Sequence, residues 1–424
     1  MIIIHAMNKQ GAPLPRLMTP VVTKALTVFP VVILSGARQT GKTTLVTTGS
    51  VAQGRTFRSL DDFDVLDRAE KNPHLLVEEG ETLTLDEIQR APNLLLAVKR
   101  SVDQERRRGR FLLTGSANLL MMRRVSESLA GRAIYLHLCP FTVAEKWGEP
   151  GGSAWDRLTA APDVAAAIKA LGQRIPFRDW AKHAVEGGYP VAALTPDPGN
   201  RALWFEGYIR TYLERDLREV ASVQSLVDFQ RFMRASALRI GQMLNQTSLA
   251  RDVGVPQPTV LRWLNLLETS FQIYRLPPFA TNRTKRLIKT PKLYWTDVGL
   301  GAHLAGISTP EDAAASPMAG ALLENLVLSE LLAWRESVSP RIEICTWRTH
   351  TGDEVDFVIE KGRAALPIEI KMSNRVTFSD AKGLHRFIQE YPKIAPWGLL
   401  LYRGQEVFQL SAQVVAAPLD TIFR

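Results

Sequence analysis

The stretch Gly36-Ala37-Arg38-Gln39-Thr40-Gly41-Lys42-Thr43 sets two glycines, a lysine and a hydroxyl at the spacing G-x-x-x-x-G-K-[ST]. Glycines let backbone N–H groups turn inward around phosphates, and a helix starting at the loop adds its partial positive charge. Lys42 is expected to reach β- and γ-phosphates and Thr43 to place its hydroxyl on Mg²⁺, with Thr44 closing the nucleotide-binding run. The apolar run VVILS precedes the loop and the helix-compatible TTLVTT follows, which is the context the spacing requires. ATP and Mg²⁺ are the cofactors this predicts.

A second cluster supplies the carboxylates such chemistry needs. Thr82-Leu83-Thr84-Leu85 reads as a strand ending in Asp86 and Glu87. Asp86 is expected to hold Mg²⁺ through water and Glu87 to polarise the attacking water. The intervening strand FRSL predicts that the strand bearing Asp86 is not the immediate neighbour of the strand bearing the loop. Ser116, at the end of FLLTG, suits a γ-phosphate sensor, with a plain strand-ending turn as the equal alternative. Arg132 suits stabilisation of a transferring phosphate in cis or from a neighbouring copy, with an exposed ion pair as the alternative.

A third cluster lies near the C-terminus. Glu369 and Lys371 alternate along the predicted strand LPIEIK, and Asp356 lies on the strand before it. Asp356 and Glu369 are expected to share a divalent metal, Glu324 on the apolar helix GALLENLVLSELL to add a third carboxylate, and Lys371 to orient water or phosphate. Ordinary polar residues on two edge strands are the alternative. The arrangement resembles the PD-(D/E)xK nuclease fold, although the proline before the first aspartate is absent.

These residues need elements to hold them. Short apolar segments at 31–35, 56–60, 82–85, 110–113 and 133–138, alternating with helical patterns, predict a parallel sheet. Residues 148–163, rich in Gly, Pro, Ala and Ser, read as a loop or linker. Thr247 to Val255 and Pro256 to Glu268 form a helix-turn-helix pattern, with Val260, Leu264 and Leu267 on one face and Gln257, Thr259 and Arg262 exposed. Between Glu268 and Asp297 the chain has no acidic residue but carries Arg275, Arg283, Lys285, Arg286, Lys289 and Lys292. That run predicts a basic wing for nucleic acid, with a packing module between domains as the alternative.

SGARQTGKTTL, LTLDEIQRAPNLL, LLTGSANLL, ESLAGRA, EGGYP and TYLERDLREV follow one another in this order. Together they resemble the prokaryotic AAA-superfamily ATPases that carry a C-terminal domain of unknown function. The resemblance implies an α/β fold in four parts: a AAA-type P-loop core over 1–147, a helical lid over 148–240, a winged helix over 241–296 and a nuclease-like α/β domain over 297–424. It also implies that Arg132 and the pair Arg215 and Asp216 are functional.

The 424 residues suit several domains, and the net charge of +9 permits a nucleic-acid partner, DNA or RNA. No apolar run is long enough to span a bilayer, and the start MIIIHAMNK lacks the features of a signal peptide. Cys139 and Cys345, far apart and without ligand spacing, predict reduced thiols and a cytoplasmic setting, and the pattern sets no oligomeric state. Two functions compete. One is an ATPase driving a nucleic-acid-directed effector domain, and the other an ATP-dependent switch or scaffold whose C-terminal domain binds protein.

Overall fold

In the computed structural model, the residues described are 13–116, 129–149, 153–171, 179–213, 225–282, 286, 289–340 and 342–423. The first unit is a five-stranded parallel sheet of β1 (Val31–Ser35), β2 (Thr56–Ser59), β3 (Leu83–Asp86), β4 (Phe111–Gly115) and β5 (Ala133–His137), in the order β2-β3-β4-β1-β5. Every residue of β1, β3 and β4 is buried, as expected when helices cover both faces of a parallel sheet. Alternation sorts the side chains. Val31, Ile33, Leu83, Leu85, Phe111 and Leu113 face the helix Leu94–Gln104. Val32, Leu34 and Leu112 face the helices Met18–Leu26 and Lys42–Thr47. The strand bearing Asp86 is separated from β1 by β4, so the expected gap is present. The inserted strand comes from later in the chain, whereas FRSL forms the sheet edge.

Most of the remaining elements share one apolar core that runs from Val143 and Trp155 through Tyr189, Trp263 and Trp295 to Trp334, Phe357 and Phe423, and a second core holds Leu384 and Phe387 against the other face of the C-terminal sheet. The helices Leu226–Ala237, Gln246–Val253 and Gln257–Thr269 pack beside an antiparallel hairpin of β6 (Ile273–Leu276) and β7 (Lys292–Trp295). Val260, Leu264 and Leu267 are buried, and Gln257 and Arg262 are exposed, as the periodicity predicts, whereas Thr259 is half-buried. The turn before the second of these helices uses Gly254 at φ 80°, a left-handed position that glycine adopts at no steric cost.

The last unit is a mixed six-stranded sheet of β8 (Glu343–Arg348), β9 (Glu354–Lys361), β10 (Ala364–Lys371), β11 (Gly398–Tyr402), β12 (Phe408–Ser411) and β13 (Val414–Pro418), in the order β12-β13-β11-β10-β9-β8. Between it and the first sheet runs the helix Ala319–Ser337, buried for most of its length. Asn325 on this helix pairs both ways with the Trp295 backbone, accepting N–H at 3.0 Å and donating to the carbonyl at 2.7 Å.

One expectation is altered. Part of the linker expected over 148–163 is a helix, Ala154–Ala160, capped by Ser153. With Val164–Leu171 it lies against the C-terminal unit. Trp334 Nε1 donates to Asp156 Oδ1 at 3.1 Å, and Trp397 Nε1 to the Ala161 carbonyl at 2.9 Å. Tryptophan N–H groups buried at an interface need acceptors, and this segment supplies two. Among the described residues no helix is long and apolar enough to cross a membrane.

Candidate functional site

The loop after β1 has the backbone that a phosphate cradle needs. Gly36 has φ 152°, Gln39 φ 61° and Gly41 φ 92°. A Cβ at Gly36 would stand 2.5 Å from the Leu138 carbonyl oxygen, so only glycine fits. Gly41 caps the helix Lys42–Thr47, which directs that helix N-terminus at the loop. The Lys42 ammonium is buried inside the curve and donates to the carbonyls of Gly36 at 3.1 Å and Ala37 at 2.8 Å. Burial pushes its pKa down, and the charges of Glu87 and Asp86 oppose that shift. Arg38 and Thr44 lie on the same loop-and-helix segment, and Thr40 closes the loop internally by donating to the Ala37 carbonyl at 2.9 Å.

Three residues from three elements meet at the end of the sheet. The Thr43 hydroxyl donates to Asp86, 3.2 Å from Oδ1 and 3.0 Å from Oδ2. Thr114, from the end of β4, also donates to Asp86 Oδ1. Burial raises the Asp86 carboxyl above the usual range, against the pull of these hydroxyls. An oxygen set of one hydroxyl and one carboxylate, beside a buried lysine, is hard-cation chemistry and fits Mg²⁺. Glu87 follows at φ 56°, a left-handed position uncommon outside glycine. Its amide donates to the Thr114 hydroxyl at 3.3 Å, and its carboxylate accepts from Gln89 Nε2. The strand end FLLTGS carries two hydroxyls, Thr114 and Ser116. Both are buried, but the hydroxyl that touches Asp86 is that of Thr114.

Arg132 is elsewhere. It precedes β5, so it lies at the end of the parallel sheet opposite the loop, and its carbonyl accepts from Val31 N at the start of β1. Its guanidinium forks onto Asp103, with Nε to Oδ1 at 2.6 Å and Nη2 to Oδ2 at 3.0 Å. The expected role in cis is corrected: a parallel strand carries the chain across the sheet, and this arginine stands at the wrong end. Arg215 and Asp216 lie outside the described residues.

The basic run is also altered. Arg275 pairs with Glu268, and Arg286 is buried with bonds to Glu360 and Glu343 of the C-terminal sheet. Lys292 is buried as well, while Lys289 is exposed. Arg283 and Lys285 lie outside the described residues. The run lacks acids in its own sequence because its partners come from other elements. Three of its cations are therefore counter-ions within the chain and not a free wing.

Lys292 changes the C-terminal cluster most. Its ammonium lies 3.0 Å from Glu324, 2.5 Å from Glu354 and 3.7 Å from Asp356. Burial alone would lower the pKa of this lysine, but the three carboxylates raise it on balance. Tyr294 also donates to Glu324. The pairing of β9 with β10 reaches Phe357 opposite Ile368, and Asp356 Oδ2 accepts the Ile370 amide at 2.8 Å. Lys371 donates to Glu369 Oε1 at 2.7 Å, while Glu369 Oε2 is buried without a hydrogen-bond partner. Burial and the charge of Asp356 hold Glu369 well above the usual carboxylate range.

Glu324, Asp356, Glu369 and Lys371 therefore gather, with Lys292 and Glu354 among them. Among the described residues, the trio of metal-type ligands whose atoms all lie within 4.8 Å of one another is Glu343, Cys345 and Glu360, and Arg286 is bonded to it. Glu324, Asp356 and Glu369 do not converge that tightly. A lysine ammonium partly compensates Glu324 and Asp356, but burial still raises both carboxyls, Glu324 to about 7.

Comparison with known proteins adds the following. Residues 28–146 match the family described as AAA domain, 177–311 a domain of unknown function (DUF8612) and 319–422 a domain of unknown function (DUF4143). The chain is 32% identical over 400 residues to the uncharacterized proteins Rv2008c of Mycobacterium tuberculosis and Mb2031c of Mycobacterium bovis, which covers 94% of this chain and 82% of each of theirs. A solved Walker-type ATPase of Pyrococcus abyssi is similar at 16% identity and a TM-score of 0.42, over 71% of this chain and 98% of that one.

Proposed function

We infer that this chain, which belongs to the same family as the two mycobacterial proteins and carries an AAA domain, binds ATP at the loop 36–43 and hydrolyses it. The observation that carries the reading is the junction of Thr43, Asp86 and Thr114 beside the buried Lys42. Lys42 would neutralise the β- and γ-phosphates, and Thr43 and Asp86 would hold Mg²⁺, which supplies charge neutralisation when bound. Glu87, pinned by Gln89 and by its own amide, would take the proton of the attacking water. Thr114 would orient Asp86 and tie the Glu87 backbone to it. The test is phosphate release by the purified chain with ATP and Mg²⁺, repeated after chelation. The reading expects turnover that vanishes without Mg²⁺, and no turnover under either condition would sink it.

For the C-terminal unit, the observation that Lys292 sits among Glu324, Glu354 and Asp356 favours a switch or scaffold that answers to nucleotide state. The alternative of a nuclease acting on DNA or RNA draws its support from Asp356, Glu369 and Lys371. Incubation with DNA and RNA, with Mn²⁺ or Mg²⁺ and with or without ATP, separates the two. Cleavage lost in Asp356→Ala would favour the nuclease.

A further inference from the structure

Arg16 lies before the residues that match the AAA domain and outside every motif discussed above. Its side chain is buried, and each of its bonds ends near the phosphate loop. Nη1 donates to the Thr40 carbonyl at 2.8 Å, Nη2 to the Cys139 carbonyl at 2.6 Å and Nε to Glu145 Oε1 at 3.1 Å. The guanidinium lies 4.5 Å from the centroid of the Phe141 ring. Glu145 is fixed in turn by the amides of Leu17 at 2.7 Å and Thr142 at 2.9 Å. A buried cation is tolerated only when its donors are used, and a planar guanidinium with three directional bonds has one orientation.

The bond to Thr40 has a consequence for the loop. A peptide is planar and trans, so the Thr40 carbonyl and the Gly41 N–H point in opposite directions. With the carbonyl committed to Arg16, the Gly41 amide is turned to the other side. Gly41 has φ 92°, and a side chain there would stand 3.4 Å from Arg16 Nη1, so the arginine backs directly onto this residue.

We propose that Arg16 is a positioning residue of the phosphate site: by holding the Thr40 carbonyl it presets the Gly41 amide as a phosphate donor. The proposal rests on the ATP-binding reading above. Lysine cannot substitute, because a single ammonium does not span the carbonyls of Thr40 and Cys139 and the Glu145 carboxylate in one plane.

The test compares affinities for ATP, ADP and adenosine in three proteins: wild type, Arg16→Lys, and Arg16→Met combined with Glu145→Gln. The double variant removes both buried charges, so neither is left unpaired. Each is measured well below its unfolding midpoint. The expected result is a fall in ATP and ADP affinity on the order of tenfold or more, the scale of one hydrogen bond to a charged group, with adenosine affinity unchanged. A merely structural arginine would weaken adenosine equally or weaken nothing, and either result overturns the proposal. Should the double variant not fold, Arg16→Lys alone decides by the same comparison. If wild type fails to bind ATP, the ATP reading itself falls. If wild type binds and the variants match it, the role of Arg16 alone falls.

Discussion

Lys42 shows how the site is built against the preference of its parts. Burial disfavours the ammonium, and the charges of Asp86 and Glu87 keep it poised where anionic phosphate would favour it further. Thr114 works in the same way on Asp86, its hydrogen bond opposing the rise that burial imposes on the carboxyl. Arg132 makes the opposite point. In sequence it follows a motif consistent with catalysis, but its fork onto Asp103 and its place before β5 assign it to the far end of the sheet. We therefore predict that Arg132→Ala, assayed dilute enough to be monomeric, hydrolyses ATP at about the wild-type rate. A loss near the roughly 10³-fold associated with a phosphate-stabilising arginine would contradict this.

At the scale of elements, Lys292 on β7 ties the hairpin to the C-terminal sheet, as Arg286 does. Removing one partner of a buried ionic cluster leaves the others uncompensated, so Lys292→Met should cost about 3–5 kcal/mol of stability. It should also make the unfolding midpoint respond to Mg²⁺ or Mn²⁺, because Glu324, Glu354 and Asp356 would then need another cation. A variant as stable as wild type, and indifferent to divalent ions, would contradict the assignment. The same residue marks what the sequence could and could not convey. The five strands of the ATPase sheet were legible, because buried parallel strands read as continuous apolar runs such as VVILS and FLLTG. The loop 36–43 was legible because its backbone demands glycine at fixed places. Lys292 and Arg286 were not, because a cation's partners are chosen by tertiary contact, and theirs lie 32 to 74 positions away. Which of the two strand-end hydroxyls, Thr114 or Ser116, meets Asp86 depends on tertiary contact for the same reason.

The whole molecule is one connected body around the helix Ala319–Ser337, which reaches the ATPase unit through Glu330. Its Oε1 accepts the Val143 amide at 2.8 Å, and the helix Val143–Lys146 also carries the Glu145 that anchors Arg16. Burial pushes the Glu330 carboxyl up to about 8. An acid whose folded value is raised binds its proton more tightly in the folded state, so stability falls as pH rises from its ordinary value near 4.5 through about 8. Glu330→Gln keeps an acceptor for Val143 and removes the titration. We predict that its unfolding midpoint matches wild type near pH 5, exceeds it by several degrees at pH 8.5 and falls less steeply in between. Parallel pH curves for the two proteins would refute the role of Glu330. The loop 36–43 is where ATP would bind and be hydrolysed. The direct measurement is ATP affinity and phosphate release, side by side, in wild type, Lys42→Ala and Glu87→Gln. The account predicts that wild type binds and hydrolyses, Lys42→Ala loses both, and Glu87→Gln binds ATP with near wild-type affinity but hydrolyses it at least about a hundredfold more slowly. Equal turnover in all three proteins would contradict it.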